Sequence, residues 1–331
     1  MSAAYIALKR QQRPSVAPRI WIPLSVLLGA LAVAPLFGLP IFIQGLVIEI
    51  LTFSLLALSL NILLGYTGLV SFGHAAFFAI SGYAVAAVAT HYTPDILVTL
   101  PVAILSAALC ALPLGWLSIR LSGFYFLMIT FAFAQMVFVA AFRWKWLTGG
   151  SDGMLVSGPT LFGTPVLQSR EQFYFFALAL FVICTVALYC IVTSSFGRTL
   201  IGIRENTLRM RALGYNVRRY KLAAFVIAAT FGGVAGAANA LFNLFIAPES
   251  AHWTQSAMVL VMVLIGGASY FVGPIVGTTV VLLLQHWLSS HTEYWGLVLG
   301  ILFIALITGA REGISGLVMN LTGWLRGSAR S

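Results

Sequence analysis

The sequence predicts an all-α polytopic membrane protein of eight to ten transmembrane helices with both chain ends cytoplasmic, and three observations predict it. Of its 331 residues, 60% are hydrophobic and only 8% charged, whereas soluble domains carry about 25% charged residues. Apolar runs of roughly 20 residues, enough to cross ~30 Å of hydrocarbon as helix, recur from end to end. The basic residues gather in alternate connections, as the positive-inside rule requires. This composition excludes an ordinary cytosolic enzyme. The net charge of +10 does not point to nucleic acid, because the cations are spread over the connections between spans.

Taken in order, a basic tail over residues 1–19, with Lys9, Arg10, Arg13 and Arg19, precedes an apolar run from Ile20 to Leu39. That run is longer than the ~7–15 residues of a signal-peptide core, so it reads as an uncleaved first span. Further spans are expected at 42–64, 74–92, 96–118, 124–142, 172–193 and 222–244, then two shorter ones at 255–268 and 274–288 and a last at 295–310. The transmembrane domain therefore covers 20–310, with a second cytoplasmic tail over 311–331. With the first tail inside, 15 of the 18 Lys and Arg fall on the cytoplasmic side, and only Arg143, Lys145 and Arg170 fall outside. The piece from Gln255 to Ala268 rises only ~21 Å as a helix. With its successor it forms either two short crossings or a re-entrant hairpin; both return the chain to the same side. Gly232-x-x-x-Gly236, Gly273-x-x-x-Gly277 and Gly296-x-x-x-Gly300 permit close helix approach.

The run from Leu63 to Gly82 interrupts this pattern. It places Gly65, Thr67, Gly68, Ser71, Gly73 and His74 between two apolar segments. Irregular backbone at membrane depth survives only where it is buried in protein or lines a wet cavity. A fainter echo, Leu264-Ile265-Gly266 up to Gly273, includes Gly266 and Gly267. Paired breaks of this kind point to a transport pathway lined by these residues. His74 is expected to bond backbone groups freed by the break ahead of any cargo contact. Glu49, the one acid well inside an expected span, is either a functional group or a polar helix-packing residue. Asn61, Gln135, Asn239 and Asn243 read as pore lining or as helix–helix hydrogen bonds. Gln285-His286 is assigned no role.

Cys110, Cys184 and Cys190 fall in apolar segments with no metal-site spacing and read as packing residues. No Gly-x-x-x-x-Gly-Lys-Ser/Thr phosphate loop occurs, so ATP would have to be handled by another chain. Gly313-Ile314-Ser315-Gly316 mimics an intramembrane serine-protease motif without a later helix to supply its histidine.

The cytoplasmic connection 194–221 is the second informative element. Leu200, Ile203, Met210 and Leu213 fall on one helical stripe, Glu205 precedes Arg209 by four residues, and Gly214 stands where a helix would end. A charged helix with one apolar edge fits either a groove on a soluble partner or an anionic membrane lipid surface. Gly197-Arg198, Ile203-Arg204-Glu205-Asn206, Arg209 and Leu213-Gly214 resemble the ATPase-contacting loop in permease subunits of branched-chain amino-acid ABC importers. The similarity continues in Tyr220-Lys221-Leu222-Ala223, Pro248-Glu249-Ser250, Gly65-Tyr66-Thr67-Gly68 and Ser71-Phe72-Gly73-His74. It is nearer the longer, M-type permease than the shorter H-type. Two departures stand out. Leu208-Arg209-Met210 replaces the Glu-Ala-Ala of the general coupling signature, and Gly266-Gly267-Ala268-Ser269-Tyr270 replaces the family's Gly-Gly-x-Gly-Ser/Thr turn.

The resemblance implies an ABC importer permease fold in a bacterial inner membrane and a second permease subunit completing the path. It also implies two ABC ATPase subunits, which bind the ATP and Mg that this chain does not, and a periplasmic substrate-binding protein. It leaves urea or short amides open as cargo beside branched-chain amino acids. An ion-coupled secondary transporter using Glu49 and His74 as proton carriers is the alternative of a different class.

Overall fold

Helix α1 (Ile41–Asn61) runs on without interruption as a six-residue π-helix, Ile62–Thr67. It is followed by α2 (His74–His91), α3 (Ile96–Ser118), α4 (Phe124–Arg143) and α5 (Arg170–Thr193). Two short helices, α6 (Ser195–Glu205) and α7 (Thr207–Ala212), lead to α8 (Val217–Asn243), α9 (Trp253–Gly266) and α10 (Gly273–Ser289). The structure, a computed structural model, describes residues 40–167, 169–294, 296–298, 300–301, 303–304 and 313–316. The expected tail 1–19 and first span 20–39 lie outside the described residues, as do most of 305–331.

Among the described residues, five helices are long and apolar enough to cross a membrane: Ile41–Thr67, Ile96–Ser118, Phe124–Arg143, Arg170–Thr193 and Val217–Asn243. Their starts are written locally. Asp95 accepts a hydrogen bond from the Leu97 amide to open α3. Ser169 and Gln172 form a capping box at α5, and Asn216 accepts from the Arg219 amide at α8. Each satisfies donors that the helix itself leaves orphaned.

α8 forms the centre, packed against α1, α2 and α3. Small residues make this possible: a Cβ on Gly236 would overlap the Phe78 carbonyl of α2, and one on Gly233 would stand 2.6 Å from the Ala107 Cβ of α3. α9 and α10 form an antiparallel hairpin of 14 and 17 residues. It closes on itself through glycine, since a Cβ on Gly266 would overlap the Gly273 carbonyl and one on Gly277 the Met262 carbonyl. No described residue lies within 4 Å of a Cβ on Gly296 or Gly300. At the end of the bundle bearing Arg170, β1 (Met154–Leu155) pairs antiparallel with β4 (Phe245–Ile246). β2 (Thr160–Leu161) pairs likewise with β3 (Thr164–Pro165).

Candidate functional site

The site is built where α1 fails to continue. The π-helix ends at Gly68, whose φ of 73° and ψ of 21° is left-handed and costs glycine nothing. The Leu63 carbonyl accepts from the Thr67 hydroxyl at 2.6 Å and the Leu69 amide at 2.9 Å. Backbone then runs irregularly until α2 begins, leaving donors that need partners in an apolar bundle. Three hydroxyls supply them. Thr130 of α4 accepts from the Phe72 amide at 3.2 Å, Ser71 from the Gly73 amide at 3.2 Å, and Ser256 of α9 from the Ala75 amide at 2.9 Å.

His74 faces α8 and not the backbone of the break. Its side chain is fully buried. The ring sits against the Ala228 backbone and beside Gly232 of α8. Capping the break falls to hydroxyls, two of them on distant helices. Of the expected pathway residues, Gly65, Thr67, Ser71, Gly73, His74, Gly266 and Gly267 are buried and Gly68 alone is exposed. Within the chain they form a joint, with the Thr67 and Ser71 hydroxyls bonded to backbone and the glycines in close contact with it. A Cβ on Gly65 would overlap the Ala268 carbonyl, so the two glycine breaks, two hundred residues apart in sequence, meet in space.

The connection between α5 and α8 reaches this same joint. From α6, the Arg204 guanidinium donates a hydrogen bond to the Gly65 carbonyl, a group the ending helix leaves without an internal partner. Arg204 also packs on Gly68, where a Cβ would stand 3.2 Å from its Cγ. Burial lowers the pKa of Arg204, with Glu205 and then Tyr66 acting in the opposite direction; the guanidinium remains charged. Gly197 and Arg198 build the corner between α5 and α6. A Cβ on Gly197 would overlap the Val192 carbonyl, and Arg198 Nη1 donates to the Thr193 carbonyl at 2.9 Å.

The single helix expected over this segment is two. Asn206, at φ −156° and ψ 94°, breaks it and caps α7 by accepting from the Arg209 amide at 2.9 Å. Glu205 and Arg209 therefore stand on different helices and lose their one-turn relation. The expected apolar stripe divides as well. Leu200 and Ile203 are buried in the bundle and Met210 packs over Gly202 of α6, whereas Leu213 is 65% exposed, as is Leu208 beside the stripe at 75%. Gly214 takes a φ of 85° with nothing around it within 4 Å.

At the opposite end of α1, Glu49 meets a residue the sequence left without a role: His286 Nε2 and Glu49 Oε2 are 3.0 Å apart. His74 packs at the level of Ser59, ten residues and ~15 Å further along α1, so Glu49 and His74 form no relay. Gln135 lies on the outer face of α4, and Asn243 bonds back to Asn239 within α8. Among the described residues no group of three or more His, Cys, Asp or Glu is placed to hold a metal.

Residues 42–307 match the sequence profile of the permease component of branched-chain amino acid transport systems. The chain belongs to this permease family. It is 29% identical over 283 residues to the high-affinity branched-chain amino acid transport system permease protein LivM of Escherichia coli (strain K12), an alignment covering 78% of this chain and 67% of the relative. The LivM protein of Salmonella typhimurium (strain LT2) aligns at the same identity and coverage. No solved structure matches. Membership makes this chain a multi-pass membrane subunit of a transporter, and the joint between Arg204 and Gly65 is a feature of a permease.

Proposed function

We propose that this chain is a permease subunit of an ATP-driven importer of branched-chain amino acids in a bacterial inner membrane. It has eight to ten spans and both ends in the cytoplasm. A second permease subunit completes the path, two ABC ATPases bind ATP and Mg and hydrolyse the nucleotide, and a periplasmic binding protein delivers the cargo. The ATPases dock on α7 and its flanks, where Leu208, Arg209, Leu213 and Gly214 are exposed and α7 buries no residue.

One contact carries the reading: the Arg204 guanidinium on the Gly65 carbonyl. A push on α7 passes through Asn206 to α6. Arg204 then delivers it to the π-helical end of α1, where a widened turn is already poised between two hydrogen-bonding registers. Moving Gly65 moves Ala268 of the α9–α10 turn packed on it. Both glycine breaks respond together, and the permease pair switches between states open to either side.

The test is uptake of radiolabelled leucine by proteoliposomes containing the assembled complex. The reading expects uptake that needs ATP inside and the binding protein outside. Uptake by this chain alone, driven by a proton gradient and indifferent to ATP, would contradict it.

A further inference from the structure

A cavity lies away from the coupling joint, at the end of the bundle where α1 begins. It has a volume of about 710 Å³ and is walled by α1, α5, the end of α8, His286 of α10 and the loop carrying β2 and β3. Two opposite charges stand in its lining one helical turn apart. Arg170, the first residue of α5, lays Nη1 over Gly45, 3.1 Å from where a Cβ would be. Glu49 is four residues further along α1, ~6 Å of helix rise. His286 takes one oxygen of Glu49 at 3.0 Å; the other has no protein partner among the described residues. Nor does any described carboxylate lie within ion-pair distance of Arg170. The remaining wall is chiefly apolar, including Leu46, Phe173 and Phe242.

We propose that this cavity binds a zwitterionic α-amino acid with an apolar side chain. Arg170 holds the α-carboxylate, Glu49 accepts from the α-ammonium, and Leu46, Phe173 and Phe242 cover the side chain. The two ligand charges sit on one carbon, and a charge-assisted hydrogen bond of ~2.8 Å at each end spans the separation between the two protein charges. A lone anion, such as a lipid phosphate, would be drawn to Arg170 but repelled by Glu49. A lone cation meets the converse. Gly45 matters because any side chain there would displace the guanidinium. Arg170 is also one of only three cations expected on the outer side, where the positive-inside bias disfavours them. That this amino acid is the imported one rests on the importer reading above; the charge pairing does not.

The experiment is equilibrium dialysis of radiolabelled L-leucine against the full-length chain, with any subunits that copurify, in phosphatidylcholine nanodiscs. Leucinol lacks the carboxylate and 4-methylpentanoate lacks the ammonium; both serve as competitors. Arg170→Gln and Glu49→Gln should each weaken leucine at least tenfold. Leucinol should respond to Glu49→Gln only, and 4-methylpentanoate to Arg170→Gln only. Should Glu49→Gln fail to fold for want of its His286 contact, exposed Arg170→Gln decides alone, by losing leucine while keeping leucinol. Unchanged leucine affinity in Arg170→Gln overturns the proposal. So does loss of leucine binding when phosphatidylglycerol replaces phosphatidylcholine, which would make the occupant a lipid phosphate. If the complex imports leucine and Arg170→Gln alters neither binding nor import, the cavity assignment fails and the importer stands. If leucine binds as described but is never imported, the importer reading fails and the cavity stands.

Discussion

Gly68 and Gly214 adopt the same left-handed backbone, at φ 73° and 85°, under opposite constraints. Gly68 closes a buried π-helix, with Arg204 3.2 Å from where its Cβ would be; Gly214 ends an exposed helix with open space around it. The break is over-determined by hydroxyls from α1, α4 and α9 and by the Arg204 guanidinium of α6. The surface segment rests on the Asn206 cap, its own turn and its contacts with neighbouring α6 through Thr207 and Met210. A joint held from every side can pass displacement onward. A segment held on one side only, with Leu208 and Leu213 exposed, remains available to a partner.

Five substitutions sharpen that contrast, the first two read as a pair and the rest in descending order of effect. Gly266→Val drives two methyl groups into the Gly273 backbone and should cost ~3 kcal/mol or more, read as loss of monodisperse protein in detergent. Gly214→Ala should cost only about 1–2 kcal/mol for its backbone conformation, visible as a small drop in melting temperature. Equal losses at the two sites would erase the distinction. Ser256→Ala leaves the buried Ala75 amide without its partner and should cost ~1–3 kcal/mol, checked by thermal unfolding. Asn206→Ala removes a helix cap worth ~1 kcal/mol; local hydrogen exchange should rise over 207–212 and stay unchanged over 65–75. Leu208→Ala should leave stability within ~0.5 kcal/mol while weakening copurification of the ATPase subunits.

Much of the fold was legible in the sequence, since hydropathy, glycine breaks and caps are local properties. Spans expected at 96–118 and 124–142 correspond to Ile96–Ser118 and Phe124–Arg143, and α10 ends within a residue of its expected position. What was missed is long-range. Ser256 bonds an amide 181 residues away, Thr130 one 58 residues away, and His286 pairs with Glu49 across 237 positions. No spacing encodes such partners, because they are chosen by helix packing. A hydroxyl inside an apolar run looks the same whether it bonds its own helix or caps another. The bend at Asn206 was missed for a different reason: the apolar stripe on either side keeps helical spacing across it, and asparagine's capping competes locally with helix continuation.

The account stands most directly on Arg204, the link between the docking segment and the break. The decisive measurement is leucine imported per ATP hydrolysed by the reconstituted complex carrying Arg204→Met, which keeps side-chain length but removes the donors to Gly65. Hydrolysis should continue near the unsubstituted rate while uptake falls at least tenfold. An unchanged ratio, whether both rates hold or both fall together, would contradict the claim that Arg204 couples the two regions.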